Sequence, residues 1–573
     1  MSMSAESNLT RRRFLRSAAL STVLMGSYMS SPALGPQRRP GDGHTVLAGT
    51  KRILFFDDSM IESLKSARFA LNTAVKVSNN PVIKSDRPWE GNTIAEATVF
   101  YDQNLKLFRM WYPVYDYHPP IPPAEEPVPQ NQPGVADIAS ERKRCTACYP
   151  ISEDGYHWEK PSLGFLEFQG SKANNILMAS SLKSRSHFST AHLFRDPVEE
   201  NPDKKYKGLK SNMIRGPGEQ ERMTIDLYYS GDGFNWEPYE KNPVYDLKRF
   251  GSWGPTSFMG WDPIRRVYAV YMENCGHQRC PVGKRLIGRA ESPDMIDWSE
   301  SETILVPDEA DGPDTELYAM HPCVYGDYYV GMLWIFNKTQ QAHYLQFVFG
   351  RDGIRFDRRY REPFIVPGVT PAFDSSSILP LKPIVHKNEI FIYYIGANYR
   401  TRQQFDALGE EKARWSIGLA VVPRDRFVCL FGDEGERGEV VTRTLRFSGN
   451  RLHVNMEVAG AGPGDLRVDV LDPAYFPLPE YTLKDADALP RGGLDSVVTW
   501  NGNPDISALV GRPIKLRFYL RNARLRSLLG FFLGTRTTAA GTISCDQSGI
   551  LVSSPAIIKK HMESVRSSRL QYS

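Results

Sequence analysis

Ser152-Glu-Asp154-Gly155-Tyr-His-Trp158 and Ser230-Gly-Asp232-Gly233-Phe-Asn-Trp236 are two copies of one short motif. A degenerate copy spans 291–298, and a fourth spans 350–356 with Phe at its last position. The Asp-Gly pair favours a tight turn, and the aromatic residue that follows fills the space between strands. The four aspartates recur at intervals of 58 to 78 residues, so the motif predicts a repeated β-hairpin unit.

A second repeated element lies upstream of each copy and occurs once more beyond the last. It consists of a strand, a polar turn and a Tyr-rich strand, and amphipathic helical segments of 10–15 residues are missing between the copies. Four antiparallel strands repeated about every 60 residues are typical of a β-propeller, here with five blades. The five predicted hairpins span 97–112, 191–209, 257–272, 321–336 and 383–396.

The segments beyond the propeller differ in pattern. Short stretches of period-2 alternation after a glycine-rich linker predict a C-terminal β-sandwich. The predicted fold class is therefore all-β, a five-bladed β-propeller followed by a β-sandwich. The predicted divisions are a signal peptide at 1–35, the propeller at 51–428, the sandwich at 432–534 and an unassigned tail at 535–573.

The N-terminus reads as an export signal. Thr10-Arg-Arg-Arg-Phe-Leu-Arg16 resembles the twin-arginine motif at all seven positions and precedes a weakly apolar stretch. A basic N-terminus with an ordinary secretory signal is the alternative. Both interpretations predict a periplasmic or secreted protein with no membrane span in its mature form.

Composition limits the partners and cofactors. The 573 residues carry 70 basic and 66 acidic side chains, a net charge of +4, which gives no electrostatic case for nucleic acid. The seven cysteines include Cys145 and Cys148, and Cys275 and Cys280 around His277. Buried thiols or one local disulfide are the simpler interpretation, and a zinc site is the alternative. We expect no catalytic metal and no cofactor, although a structural calcium or zinc ion stays compatible with the sequence.

A five-bladed propeller followed by a sandwich resembles glycoside hydrolase family 32, and the propeller alone is similar to families 43, 68, 117 and 130. The Ser-x-Asp-Gly-x-x-Trp turns look like the Asp-box of sialidases. Phe55–Asp58, Pro88–Glu90 and Asn174–Ile176 resemble planctomycete-type, uncharacterised glycosidase-like proteins. The Trp-Met-Asn-Asp-Pro-Asn-Gly segment of family 32 is missing. Phe194-Arg-Asp196-Pro197 reads like that family's Arg-Asp-Pro motif, but Asp196 aligns with hairpin-turn aspartates and is interpreted as structural.

Glycoside hydrolysis needs a carboxylic acid that protonates the leaving oxygen and a second carboxylate that attacks or activates water. The resemblance implies that these groups lie at the starts of the innermost strands. Glu316 is the candidate general acid, Glu90 the candidate nucleophile or base, and Asp374 a carboxylate that tunes the acid's pKa. The structural alternative is a solvated loop for Glu316, an ordinary loop before the first strand for Glu90 and a capping turn for Asp374.

Six further residues are candidates for substrate binding. Aromatic rings stack on sugars, histidines bind hydroxyls and arginine grips an acidic group; packing against the core or a plain surface position is the alternative for each. The candidates are Trp89, Arg185, His187, Trp253, Tyr318 and His321. The leading functional hypothesis is an exported glycoside hydrolase acting on a poly- or oligosaccharide. The alternatives are a non-catalytic carbohydrate-binding propeller and a metal-assisted propeller lyase or lactonase.

Overall fold

The chain forms a nearly all-β protein. A computed structural model of it contains thirty-six strands and one α-helix, α1 (Arg402–Leu408), in the part that it describes. The all-β class predicted from the repeated turns is thus confirmed. The described residues are 46–49, 52–94, 96–115, 144–181, 192–214, 222–246, 257–274, 284–339, 342–400, 402–409, 411–432, 436–458 and 464–529.

Five short strands open the described chain. They do not pair with one another but with strands far along the sequence, as given below. They are β1 (Val46–Gly49), β2 (Ile53–Leu54), β3 (Ile61–Lys65), β4 (Ala67–Leu71) and β5 (Val75–Lys76).

Antiparallel units follow in chain order, and we number them 1 to 5. Unit 1 comprises β6 (Thr93–Ile94), β7 (Thr98–Asp102), β8 (Leu107–Tyr115), β9 (Arg144–Cys148), β10 (Ile151–Ser152) and β11 (Ile176–Ser181). Unit 2 comprises β12 (Leu193–Arg195), β13 (Tyr206–Ile214), β14 (Arg222–Ser230), β15 (Glu237–Pro238) and β16 (Tyr245–Asp246).

Units 3 and 4 are four-stranded sheets with strands in simple sequential order. Unit 3 comprises β17 (Ser257–Asp262), β18 (Val267–Asn274), β19 (Leu286–Ser292) and β20 (Glu302–Leu305). Unit 4 comprises β21 (Thr315–Tyr325), β22 (Tyr328–Asn337), β23 (Ala342–Gly350) and β24 (Phe356–Asp357).

Unit 5 takes its outermost strand from the start of the chain. It comprises β25 (Ser377–Pro380), β26 (Ile384–His386), β27 (Glu389–Ala397) and β28 (Trp415–Pro423). The N-terminal β5 pairs antiparallel with β28, and a parallel bridge from Trp415 to Thr93 links unit 5 to unit 1.

The remaining strands form two larger sheets and, through the pair of β31 with β1, a two-stranded sheet. Their apolar core includes Leu430, Val454 and Phe518. They are β29 (Val428–Gly432), β30 (Gly438–Thr442), β31 (Leu445–Phe447), β32 (His453–Val458), β33 (Asp465–Leu471), β34 (Gly493–Val497), β35 (Lys515–Arg521) and β36 (Ala523–Leu529). One sheet has the order β34-β32-β36-β29-β4 with β2 on β36, the other β3-β30-β35-β33, and β1 pairs with β31. The alternation patterns did not predict that N-terminal strands would join these sheets, and the predicted domain boundaries stay predictions.

The Asp-Gly turns pack against the preceding unit. In the first copy, Asp154 Oδ1 accepts the amides of Tyr156 and His157, both at 2.8 Å, and Trp158 Nε1 donates to the Gly155 carbonyl at 3.1 Å. Gly155, at a φ of 81°, lies where a side chain would meet rings of unit 5. A ring of another unit donates to the turn glycine's carbonyl in three cases: Tyr393 to Gly155 (2.7 Å), Trp111 to Gly233 (3.0 Å) and Tyr271 to Gly353 (2.7 Å).

The hairpin aspartates bind to a tyrosine of the next unit. Asp196 is fully buried and accepts hydrogen bonds from the Val198 amide at 3.0 Å and the Tyr268 hydroxyl at 2.7 Å, while Lys207 Nζ lies 2.6 Å away. This environment agrees with the structural turn predicted for Asp196.

Candidate functional site

A pair of buried glutamates lies where units 3 and 4 meet. Glu273 is the penultimate residue of β18, and Glu316 is the second residue of β21. Arg285, which immediately precedes β19, is fixed to β21 because its carbonyl accepts the Leu317 amide at 3.1 Å. Because β18 and β19 are antiparallel neighbours, the end of β18 with Glu273 lies beside the start of β19, which Arg285 precedes.

One guanidinium bridges the two carboxyl groups. Arg285 Nε donates to Glu273 Oε2 at 3.2 Å, and Arg285 Nη1 donates to Glu316 Oε2 at 2.6 Å. Lys338 Nζ lies 2.6 Å from Glu316 Oε1. The shared guanidinium keeps the bridged oxygens no more than roughly 8 Å apart, which does not exceed the upper limit of about 9.5 Å for paired glycosidase carboxyl groups.

The two glutamates experience opposite electrostatic environments. Burial raises the pKa of Glu273 to about 7, and Arg285 offsets this only in part. Burial also acts to raise the pKa of Glu316, but Lys338 and Arg285 outweigh it and hold that pKa below the ordinary value. Near neutral pH, Glu273 therefore retains a proton much of the time, whereas Glu316 is ionised. Two carboxyl groups with separated pKa values are suited to the acid and base roles of one reaction.

Glu273 has an oxygen available for proton donation. Its Oε1 is buried and makes no hydrogen bond within the described part of the chain, whereas Oε2 accepts from Arg285. Because Oε2 is an acceptor of a permanently charged donor, the proton belongs on Oε1. A ligand oxygen placed beside Oε1 would receive it.

An aromatic cluster adjoins the carboxyl pair. The Arg285 guanidinium stacks 4.3 Å from the centre of the half-buried Tyr318 ring, which packs against Trp334 at 4.2 Å. His343 stacks on Phe336 at 4.3 Å. The cluster joins an apolar wall to the charged carboxyl pair, a combination typical of small-molecule sites.

His343 is neutral and presents a donor. Burial, followed by the charges of Arg400 and Arg285, lowers the pKa of His343 to about 2. Arg400 Nη1 lies 3.3 Å from Nδ1, and since arginine only donates, the ring proton belongs on Nε2. Nε2 of His343 and Nε1 of Trp334 are buried and make no hydrogen bond to the residues described. Such polar atoms usually find a partner, which here would be water or a ligand.

The structure brings two of the predicted residues into this cluster, Glu316 and Tyr318. Both contact Arg285 and lie on β21, where the register shifts between Leu317 and Ala319. The ionised state favoured for Glu316 differs from the general-acid role expected of it, because two cations stabilise its charge.

Glu90 lies in a different environment. Its carboxylate accepts the amides of Asp86 at 2.9 Å and Arg87 at 3.1 Å, Lys160 Nζ at 2.7 Å, and the Tyr112 hydroxyl. These four donors occupy a fully buried carboxylate and suit a structural anchor. Among the described residues, the hydrogen-bond and ion-pair partners of Glu90 are different from those of Glu316.

Trp89 and Asp374 are similarly engaged. Trp89 Nε1 donates to Asn175 Oδ1 at 2.8 Å, and the indole packs edge-on against Phe168 at 6.0 Å. Asp374 is 2% exposed and accepts from the Tyr394 hydroxyl at 2.9 Å and from Lys76 Nζ at 2.5 Å. The N-terminal β5, which carries Lys76, thus holds Asp374 in place.

His321 lies close to two other basic residues, His192 and Lys382. Burial, followed by the charges of His192 and Lys382, lowers the pKa of His321 to about 3, so its ring is neutral. Lys382 Nζ donates to the Met259 carbonyl at 2.8 Å. The predicted binding residues Arg185, His187 and Trp253, and Cys275, His277 and Cys280, lie outside the described residues.

Sequence reasoning missed Glu273, Arg285 and His343. Glu273 stands in Tyr-Met-Glu-Asn at the end of a strand, and Arg285 follows Gly-Lys at the start of the next. The resemblance pointed to carboxylates before each innermost strand, whereas Glu273 lies near the end of the second strand of its unit. A glutamate near the end of a unit's second strand is the signal by which Glu273 could be found.

Within the described residues, no group of three or more His, Cys, Asp or Glu side chains is arranged to hold a metal ion. Cys148, Cys323 and Cys429 are buried. A search of the described segments for a helix long and apolar enough to cross a membrane finds none.

No protein-family model matches the chain, and no curated protein matches it. Solved structures with similar arrangements include a glycosyl hydrolase from Bacteroides ovatus, at 15% identity and a TM-score of 0.37, over 62% of this chain and 95% of that one. A fructofuranosidase from Schwanniomyces occidentalis matches at 10% identity and a TM-score of 0.37, over 79% of this chain and 99% of that one. A glycoside hydrolase family 130 structure, from work on hydrolases that target β-1,2 mannosidic linkages in Candida mannan, matches at 14% identity and a TM-score of 0.36, over 61% and 94%. The residues of the carboxyl pair are therefore the basis for the function proposed below.

Proposed function

We propose that the protein hydrolyses glycosidic bonds of a poly- or oligosaccharide, with Glu273 as general acid and Glu316 as its ionised partner. The observation that supports this most directly is the unequal pair: one guanidinium binds both carboxyl groups, yet their pKa values are shifted in opposite directions. Glycoside hydrolysis uses such a pair, with the acid's pKa raised.

The proposed step transfers a proton to the glycosidic oxygen and exchanges one bond at the anomeric carbon. Glu273 Oε1 gives its proton to the glycosidic oxygen as the bond from that oxygen to the anomeric carbon breaks, and the bonding electron pair stays on the oxygen. The anomeric carbon gains a new bond, either to water whose proton Glu316 takes or to a Glu316 oxygen that water later displaces. His343 Nε2 supplies a neutral donor for a sugar hydroxyl, and Tyr318 offers a ring face for stacking.

The wider architecture is part of the proposal. Units 1 to 5 are proposed to be the five blades of a propeller, and the two sheets of β29–β36 with β2–β4 a sandwich. In support, the Gly155 turn of unit 1 accepts a hydrogen bond from Tyr393 of unit 5, as expected where a ring closes. Export through the twin-arginine pathway to the periplasm or medium, where polysaccharide is encountered, completes the proposal.

The test is turnover of a panel of aryl glycosides and polysaccharides by the wild-type protein and by Glu273→Gln. General acid catalysis contributes about 10²- to 10⁴-fold, so kcat should fall by that factor on substrates with poor leaving groups and much less on activated aryl glycosides. Wild-type activity should fall as the pH rises through about 7, because Glu273 loses its proton there.

The matched control is Glu291→Gln. Glu291 lies on β19 of the same unit, and its carboxylate binds Arg265 at 2.7 Å and Arg289 at 2.8 Å. Equal losses in both variants, or unchanged turnover in Glu273→Gln, would reject the acid role. Glycan binding without turnover by the wild-type protein would favour the carbohydrate-binding alternative.

A further inference from the structure

Arginines accumulate where unit 5 passes into the C-terminal sheets. Arg424 and Arg426 lie between β28 and β29, and Arg524 and Arg526 lie on β36. Asn455 of β32 joins the two regions, because its Nδ2 donates to the Arg424 carbonyl at 2.8 Å and its Oδ1 accepts from Arg426 Nε at 3.0 Å. The backbone of Arg424 and the side chain of Arg426 thus meet the β32–β36 sheet at one junction.

A single carboxylate serves three of these arginines. Glu457 Oε2 accepts from Arg426 Nη1 at 2.7 Å, and Oε1 accepts from Arg524 Nη1 and Arg526 Nη2, both at 2.9 Å. Three positive charges therefore share one negative charge.

The other carboxylate of this junction is already engaged. Asp425 accepts from the Tyr325 hydroxyl at 2.6 Å and the Ser527 hydroxyl at 3.4 Å, and it forms an ion pair with Arg52. With Arg52 as its ion-pair partner, it acts on Arg426 only as a weaker charge than Glu457 does.

Arg526 is buried and has N–H groups without an acceptor. Its side chain is 1% exposed, and its Nε and Nη1 atoms are buried without a hydrogen-bond partner in the described structure. The Nε of Arg424 is in the same state. Since a buried guanidinium cannot lose its proton, each N–H left without an acceptor carries an uncompensated desolvation cost.

Arg426 is partly buried in the same junction. Burial lowers its pKa and outweighs the opposing charge of Glu457, and the charge of Arg526 adds to the lowering. Buried charges are normally paired or bound to a counterion, and here three arginines depend on one carboxylate.

We propose that this junction binds a small inorganic anion, a halide or an oxyanion such as sulfate or phosphate, against the Nε and Nη1 of Arg526. The anion supplies the missing acceptor and neutralises part of the excess charge, so it stabilises the packing of unit 5 on the β32–β36 sheet. The site is independent of the carboxyl pair of Glu273 and Glu316.

The first test is the melting temperature of the full-length protein during titration with bromide, sulfate or phosphate, with ionic strength held constant by glutamate. A bound anion at 100 times its dissociation constant should raise the melting temperature by roughly 2–3 °C in a saturable manner. Comparison of the three anions identifies the class of anion that binds. Arg526→Met should abolish the rise. Arg524→Met, which removes a 40% exposed arginine from the same Glu457, should retain it. Equal responses in all three proteins would overturn the proposal.

The second test does not depend on how the variants fold. Anomalous diffraction from crystals of the wild-type protein grown in bromide should show a peak at hydrogen-bonding distance from Arg526 Nη1. An ordered water at that position in bromide and in sulfate would refute the anion site.

Discussion

Replacement of Glu273 by glutamine should change how the stability of the protein depends on pH. The side chain is 1% exposed, and burial raises its pKa from 4.5 to about 7. A carboxyl whose folded-state pKa is raised keeps its proton in the folded protein through a pH range in which the unfolded chain has lost it. Its stabilisation is complete below about pH 4.5 and disappears as the pH rises through about 7.

The size of the effect follows from the shift. A change of 2.5 pKa units corresponds to about 3 kcal/mol, of which about 2.5 kcal/mol is lost between pH 5 and pH 8. Glutamine has a similar shape and does not titrate, so the free energy of unfolding of the variant lacks this component. The difference between wild-type and variant should therefore shift by about 2.5 kcal/mol in that interval, with the wild type losing stability relative to the variant.

The measurement is urea-induced unfolding of both proteins at half-unit pH steps from 5 to 8.5, followed by tryptophan fluorescence. Glu291→Gln serves as the control, because burial at that position is outweighed by Arg265 and Arg289 and the pKa of Glu291 is lowered. A difference between wild type and Glu273→Gln that stays constant with pH, or that changes in the opposite direction, would refute the raised pKa and with it the proton-donor role.

Two further predictions concern the repeated units. Asp196→Ala should destabilise the protein by about 1–3 kcal/mol, because the Tyr268 hydroxyl loses its buried acceptor, while Lys207 keeps Glu199, 3.1 Å away, as a counter-charge. The kcat of the folded enzyme should stay unchanged. Urea unfolding and turnover measure the two effects, and a loss of kcat without a loss of stability would contradict the turn role. Gly260→Ala should lower the melting temperature more than Gly164→Ala. Both glycines have positive φ, but an added Cβ at Gly260 would lie 2.9 Å from the Phe194 ring, whereas one at Gly164 would meet nothing within 4 Å. Equal melting temperatures of the two variants would show that the Phe194 ring moves aside without cost.

Much of the local structure could be predicted from the sequence because it depends on neighbours in the chain. An Asp-Gly pair favours a tight turn, and the carboxylate of Asp154 caps amides only two and three residues ahead. The same holds for the Tyr-rich hairpins, whose alternating pattern needs no distant partner to form a strand. The all-β class follows from these local rules.

The destination of the N-terminal strands could not be predicted in this way. β4 pairs with β29 and β5 with β28, more than 340 residues further along the chain. Short strands carry little pattern of their own, and their partners are selected by which sheet edges the rest of the fold leaves open.

The candidate site illustrates the same division. The sequence by itself determined that carboxylates precede the inner strands, and it singled out Glu316 and Tyr318. Only the tertiary structure placed Glu273 and Arg285 beside Glu316, and only there does burial raise one pKa while two cations lower the other. The acid or base role of a glutamate is set by charges and solvent within a few ångströms of its oxygens, and those neighbours come from three different strands rather than from its own motif.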